Sequence, residues 1–462
     1  MSGRGPQSGD TPADSGRRRI LRAGAGGLAA AALGAAVRVR PAEAATDDYR
    51  ALVCVFLLGG NDSCNMLVPT GGPEYAAYAA SRQDLAVAAA DLHPVTTPPA
   101  LGTRYGFHPA MPELATLYEA GRLAVVANVG PLIQPTTRDD VLANAVPLPP
   151  QLYSHNDQQE QWQTLKGRTG LTTGWAGRLA DELAPLAAAQ VLPVGTALAG
   201  GLRLQAGAAA GPYVLGPDGA PTYFALTDPS VPFVTERRAA FEALLAAPTD
   251  NPIRRALVDV HRRALARAAA ATAALGRVPP LATMFPPGTL GPQLAMVARL
   301  IGARADLAMR RQVFLVAMGG FDTHDDQNVR QPVLFAELSA ALGAFDSALA
   351  ELGVADRVVT FTHSDFGRTL TSNGDGTDHG WGGHQLVLGG PVAGRTIHGP
   401  MPSLATGGGD DVGGGRLVPA RSVDQYVATL VRWVGLDEAA VDRVVPGLGR
   451  FPLRDLGFLA GA

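Results

Sequence analysis

Between Gly376 and Gly390 the chain reads GTDHGWGGHQLVLGG, an aspartate, two histidines and a tryptophan among glycines that run straight into an apolar segment. Imidazole nitrogen and carboxylate oxygen are the donors that Zn²⁺, Mn²⁺ and similar ions prefer. Glycine lets a backbone bend until neighbouring side chains reach one point. Asp378, His379 and His384 are therefore candidate metal ligands, and a polar loop capping the next strand is the competing reading. The same residue types recur elsewhere: Asn61 and Asp62 after ALVCVFLLGG, Asp322 and His324 in GGFDTHDDQ, and Ser364, Asp365 and Arg368 in FTHSDFGR. Asp322 and His324 are two apart, too close to share a helix face, so they must act from a loop. In YSHNDQQE, Ser154 and His155 stand at the start of a helical stretch, where a hydroxyl either caps the helix or serves as a nucleophile, with His155 as its catalytic partner. Arg368 is placed to hold an anionic group bidentately or to pair with Asp365. One adjacent Asp-His pair is weak evidence. Several such clusters together point to a divalent-metal hydrolase.

Short continuous runs rich in Val, Leu and Phe must position these groups: ALVCVFLL, LAVVANVG, VFLVAMGG, VVTFTHS and HQLVLGG. Runs of this kind predict strands buried on both faces. Helical stretches alternate with them, such as HPAMPELATLYEAGR, PQLAMVARLIGARAD and PVLFAELSAALGAFDSALAELG. The alternation predicts an α/β fold with a mainly parallel sheet, in which ligands gather beyond the carboxyl ends of the strands. The candidate residues fall at those ends. From about 191 to 276 the pattern changes to Gly-rich β-like stretches and an Ala-rich helix with few chemical side chains, which predicts an inserted or cap region. Trp162, Trp175 and Trp381 are assigned to packing.

The N-terminal segment has the basic start, apolar run and small-residue cleavage site (Ala42-Glu43-Ala44) of an export signal. Arg17 and Arg18, followed by Arg19, Ile20 and Leu21, match the twin-arginine pattern. Residues 1–44 are thus expected to engage the twin-arginine translocase and be removed, leaving 45–462 as a periplasmic or extracellular chain. No later segment is read as membrane-spanning. Removal of residues 1–44 takes away seven arginines and three acids, which leaves a mildly acidic chain with no basic stripe; nucleic acid is excluded as a partner. Cys54 and Cys64 flank one glycine turn and are read as free buried thiols.

LLGGNDSCNMLVP, LYSHNDQQEQWQ, TGWAGRLA, GGFDTHDDQ, FTHSDFGRTLTSNGDGTDHGWGGHQLVLGG and GRTIHGPMP occur in the order seen in the DUF1501 family, which the chain resembles over nearly all of 45–462. The resemblance implies an alkaline-phosphatase-like three-layer α/β/α fold, related to the sulfatases, with one or two divalent metal ions (Zn, Mn or Ca). Carried over by position, Asp62 resembles the first acidic ligand, Ser154 the nucleophile, Asp322 and His324 a later ligand cluster, and Asp378 and His379 the Asp-His pair, with His384 as a further ligand. Asp365 stands where this family commonly has glutamate, so either Asp365 or Asp378 takes the ligand position. The Cys-centred motif of formylglycine sulfatases is absent after Cys64. The expected activity is metal-dependent hydrolysis of a phosphate or sulfate ester, on a small molecule or a carbohydrate. The alternative is a non-catalytic binding or scaffold protein that keeps the fold.

Overall fold

The computed structural model describes residues 48–220 and 222–460. The twin-arginine segment and its cleavage site lie outside them. The first apolar run forms β1 (Arg50–Leu57), and its alternation decides the architecture. Ala51, Val53, Val55 and Leu57 enter one core, while Leu52, Cys54 and Phe56 enter another on the opposite face. A strand apolar on both faces needs a helical layer on each. Burial of a side chain such as Phe56 contributes about 1.5–3 kcal/mol.

The other strands of the main sheet are β2 (Leu123–Gly130), β3 (Gly195–Ala197), β4 (Tyr213–Val214), β5 (Arg311–Met318) and β6 (Val358–Ser364). A two-stranded hairpin outside that sheet follows, β7 (Arg368–Ser372) and β8 (Thr377–His379). The main sheet then resumes with β9 (Gly383–Leu388), β10 (Ile397–His398) and β11 (Arg421–Ser422). The spatial order is β10-β2-β9-β6-β1-β5-β3-β4, with β11 pairing β2. Pairing is parallel except for β9, which runs antiparallel to both β2 and β6. The fold is thus α/β with a large, mainly parallel sheet, as the run-and-helix alternation predicts.

One face is covered by α2 (Pro112–Glu119), α7 (Leu290–Gly302) and α8 (Gln327–Glu351). The other carries α3 (His155–Thr164), α4 (Trp175–Glu182), α9 (Val423–Val434) and α10 (Glu438–Val444). Three layers result. By length and composition α8 could cross a membrane, but its Phe335, Leu338, Leu342, Phe345 and Leu349 are buried in the core on the sheet. It is a core helix. Cys54 and Cys64 are buried free thiols.

The 191–276 stretch divides in two. β3 and β4 extend the main sheet at its edge, so this part belongs to the sheet. Beyond them, α5 (Val234–Ala246) buries no residue, and α6 (Pro252–Leu275) buries only Ala271, Ala274 and Leu275 near its last turn. α1 (Gly72–Arg82) lies between β1 and β2 in the chain and packs on β7.

Candidate metal centre

Three parallel strands end level. Leu57 of β1 pairs with Met318 of β5 on one side and Ser364 of β6 on the other. The chain leaves each at the same height, and the polar residues that follow are brought to one edge. Ser364 Oγ donates to the Leu57 carbonyl at 3.0 Å and accepts from the Asn61 N–H at 2.7 Å, which pins the first loop to the third. Gly59 sits at φ +116°, and a Cβ there would lie 2.4 Å from the Asp322 amide nitrogen. Only glycine permits the first two loops to touch.

Four segments supply the centre: the loop after β5, the loop after β6, the β7–β8 hairpin and the N-terminus of α3. The hairpin pairs Arg368 with His379. It is laid on the β5 loop through Thr377 N–H to the Thr323 carbonyl (3.0 Å), and a Cβ at Gly376 would collide with the His324 carbonyl carbon at 2.4 Å. The glycines of the opening stretch therefore serve close backbone approach.

His155, Asp322 and His379 each direct a ligand atom to one place, with these atoms within 4.8 Å of one another, and they could hold a metal ion. His155 Nε2 lies 3.4 Å from Asp322 Oδ2, His379 Nε2 lies 3.3 Å from Asp322 Oδ1, and His324 Nε2 lies 3.1 Å from the same Oδ1. Each ring is held from behind. His155 Nδ1 donates to Asp365 Oδ2 (2.7 Å), His379 Nδ1 donates to the Tyr153 carbonyl (2.7 Å), and His324 Nδ1 faces Asp378 Oδ1 (3.2 Å). An acceptor on Nδ1 fixes the tautomer that leaves the Nε2 lone pair free, the usual arrangement behind a metal-bound histidine. His155 Nε2 is buried without a hydrogen-bond partner, and His324 Nε2 meets His379 Nε2 at 2.9 Å. Converging lone pairs beside a carboxylate fit a cation. Phe366, buried, tilts against both His155 and His379 with ring centroids 4.8 and 4.6 Å apart, walling the group on its apolar side.

Charge at the centre follows from these contacts. Burial alone would push the Asp322 carboxyl up, but the Arg368 hydrogen bond and charge, with His324 and His155, bring it below its ordinary value. Burial lowers the His379 pKa, against the Tyr153 hydrogen bond, and so keeps the ring neutral and able to donate its lone pair. At Asp378 burial again raises, and is outweighed by the hydrogen bonds from Asn373 and His324.

The sequence-derived candidates separate into groups. Asp322, His324, His379 and His155 come together, and His155, read there as a catalytic partner, sits among the donors. Asp365 is fully buried; its Oδ2 accepts from His155 and from Gln159 Nε2 (2.9 Å), so it orients a donor from behind. Asp378 plays the matching part for His324. Arg368 pairs with Asp322 at 2.6 Å, not with Asp365, and also donates to the Gly59 and Thr377 carbonyls. Asp62 is drawn away to Arg82 and Gln327. His384 also stands apart: β9 carries it to β2, where its Nδ1 accepts from the Asn128 N–H (3.1 Å). Burial depresses its pKa to about 4, against the pull of Asp62. His384→Ala is expected to destabilise the ion-free chain by about 1–3 kcal/mol through the orphaned Asn128 N–H while leaving ion affinity unchanged. Thermal unfolding beside a Zn²⁺ titration checks both halves. Trp162, Trp175 and Trp381 are buried in the cores.

Gln159, Phe366 and the Tyr153 carbonyl escape sequence reading. Gln159 alone carried a signal, because it lies four residues after His155 and shares its helix face.

The model of the family described as "Protein of unknown function (DUF1501)" matches residues 49–441. The chain belongs to this family. Among curated proteins no match was found. Solved structures similar to this DUF1501 chain include Ps i-CgsB in complex with k-i-k-neocarrahexaose, 10% identical over 85% of this chain and 74% of that one, with a TM-score of 0.33. Another is the PsFucS1 sulfatase from Pseudoalteromonas sp., 10% identical over 85% and 68% of the two chains, also at a TM-score of 0.33.

Proposed function

We propose that the centre is that of an exported metal-dependent hydrolase acting on a phosphate or sulfate ester. The observation that supports this most is the shared aim of His155, His379 and Asp322, with both imidazoles held at Nδ1 by fixed acceptors. A divalent ion bound there would supply Lewis-acid polarisation of an ester oxygen and a lowered pKa for a coordinated hydroxyl.

Ser154 is bracketed by this group, since the Tyr153 carbonyl holds His379 and the next ring is His155. It occupies the N-cap position of α3 without making a side-chain cap bond. Its hydroxyl donates instead to Asp157 Oδ2 at 2.8 Å. Asp157 is thus placed to receive the proton that an attacking serine must shed. The open N–H groups of α3's first turn favour a negatively charged ligand beside them. Arg368 keeps Asp322 ionised and in place, and Asp365 with Gln159 keeps His155 from turning.

Chromogenic phosphate and sulfate esters, offered with Zn²⁺, Mn²⁺ or Ca²⁺, test the reading. Turnover is expected with at least one ion, and Ser154→Ala is expected to lower kcat by at least about a hundredfold while retaining bound ion. Bound ion without turnover on any ester would move the assignment to a binding or scaffold protein.

A further inference from the structure

Asp62 ends the loop from β1 and yet presents nothing to the centre. Its side chain is 1% exposed and both oxygens are taken. Oδ1 accepts from Arg82 Nη2 at 2.5 Å, Oδ2 accepts from Gln327 Nε2 at 2.7 Å, and the Asp62 carbonyl accepts from Gln331 Nε2 at 3.2 Å. Arg82, fully buried at the end of α1, also donates to the Thr369 carbonyl at 3.2 Å. Gln327 passes the contact on: its Oε1 accepts from the Thr377 hydroxyl (2.7 Å) and the Thr323 hydroxyl (3.1 Å), residues adjoining Asp378 and His324. Thr377 Oγ1 in turn accepts from Arg368 Nε at 3.2 Å, and Arg368 reaches Asp322. The charges alternate along one chain of contacts, from buried Arg82 to buried Asp62, then through Gln327 and Thr377 to buried Arg368 and half-exposed Asp322.

We propose that this centre takes one divalent ion per chain, and that the Arg82 guanidinium on Asp62 permanently supplies the positive charge a second ion would bring. The proposal rests on reading His155, Asp322 and His379 as an ion-binding group. An ion at Asp62 would have to evict a guanidinium that has no water to retreat to, a handicap on the order of a hundredfold to a thousandfold in affinity. The two glutamines that touch Asp62 point the same way: Gln327 donates an N–H to its carboxylate and Gln331 one to its carbonyl, and a donor N–H repels a cation.

The test counts ions. The full chain is stripped with chelator, reloaded with Zn²⁺ or with Mn²⁺, desalted and analysed by native mass spectrometry. One ion per chain is expected. The double variant Asp62→Asn with Arg82→Gln, which removes both charges together, is expected to keep that count and a dissociation constant within about threefold of the parent. Two ions in the parent, with the second lost in the double variant, would overturn the proposal. Zero ions in the parent would overturn the underlying site reading, and the proposal with it. The parent count decides even if the double variant fails to fold.

Discussion

Asp322→Asn is expected to lower affinity for a divalent ion by more than about a hundredfold, beyond the loss typical of groups that only orient a ligand. Asp322 is the point that His155, His324, His379 and Arg368 all approach. Asparagine keeps the shape and one acceptor oxygen for Arg368 but removes the negative charge. Its effect on the ion-free fold should stay within about 1–3 kcal/mol. Thermal unfolding with and without Zn²⁺ separates the two. An ion at a hundred times its dissociation constant stabilises the parent by about 2.7 kcal/mol, and the variant should show no such gain. A variant that keeps the full ion-dependent rise would show that the carboxylate is not a ligand.

The second large effect is expected at Gly59→Ala. The residue combines φ +116° with an ideal Cβ position 2.4 Å from the Asp322 amide, and its carbonyl accepts from Arg368 at 3.2 Å. Alanine must therefore strain its own backbone, at about 1–3 kcal/mol, and push the Asp322 loop outward as well. Stability and ion affinity should fall together, read by urea unfolding and metal titration. A substitution that destabilises the chain yet leaves ion affinity intact would mean that the contact between the first two loops does not set the position of Asp322.

The layered α/β arrangement was legible because buried parallel strands leave an unbroken apolar signature, and β1, β5 and β6 each carry it with the polar residues just beyond. The site was legible as a neighbourhood and not as an assignment of parts. His379 and His384 are five apart and alike in sequence, but the chain between them turns from hairpin β8 into β9, an antiparallel strand inserted between β2 and β6. That reversal delivers one ring to Asp322 and the other to Asn128, and nothing local in the sequence announces it. Asp62 and Asp322 were equally indistinguishable, since the difference lies in Arg82, which arrives from a separate helix. Asp365 was a candidate ligand in the sequence and lies behind His155 in the structure, and a carboxylate that binds a metal and one that orients a histidine are the same residue type. Only distance tells them apart. In the first third of the 191–276 stretch the sheet strands were not legible, because strands as short as β3 and β4 are too brief to show a period.

The level ending of β1, β5 and β6 also sets an order of events. Arg50 finds its neighbour in Arg311, and Ala51 its other neighbour in Val358. A chain emerging from the ribosome therefore holds its first strand unpaired on both edges until most of its length has been made. Contacts this distant in sequence are slow to close, and a strand left with two open edges is exposed to association with other chains meanwhile. His155, Asp322 and His379 are brought within reach of one another only after that closure. Ion uptake should thus report completed folding and cannot nucleate it, and the stretch at greatest risk during synthesis is RALVCVFL, the strand around which the centre is later assembled.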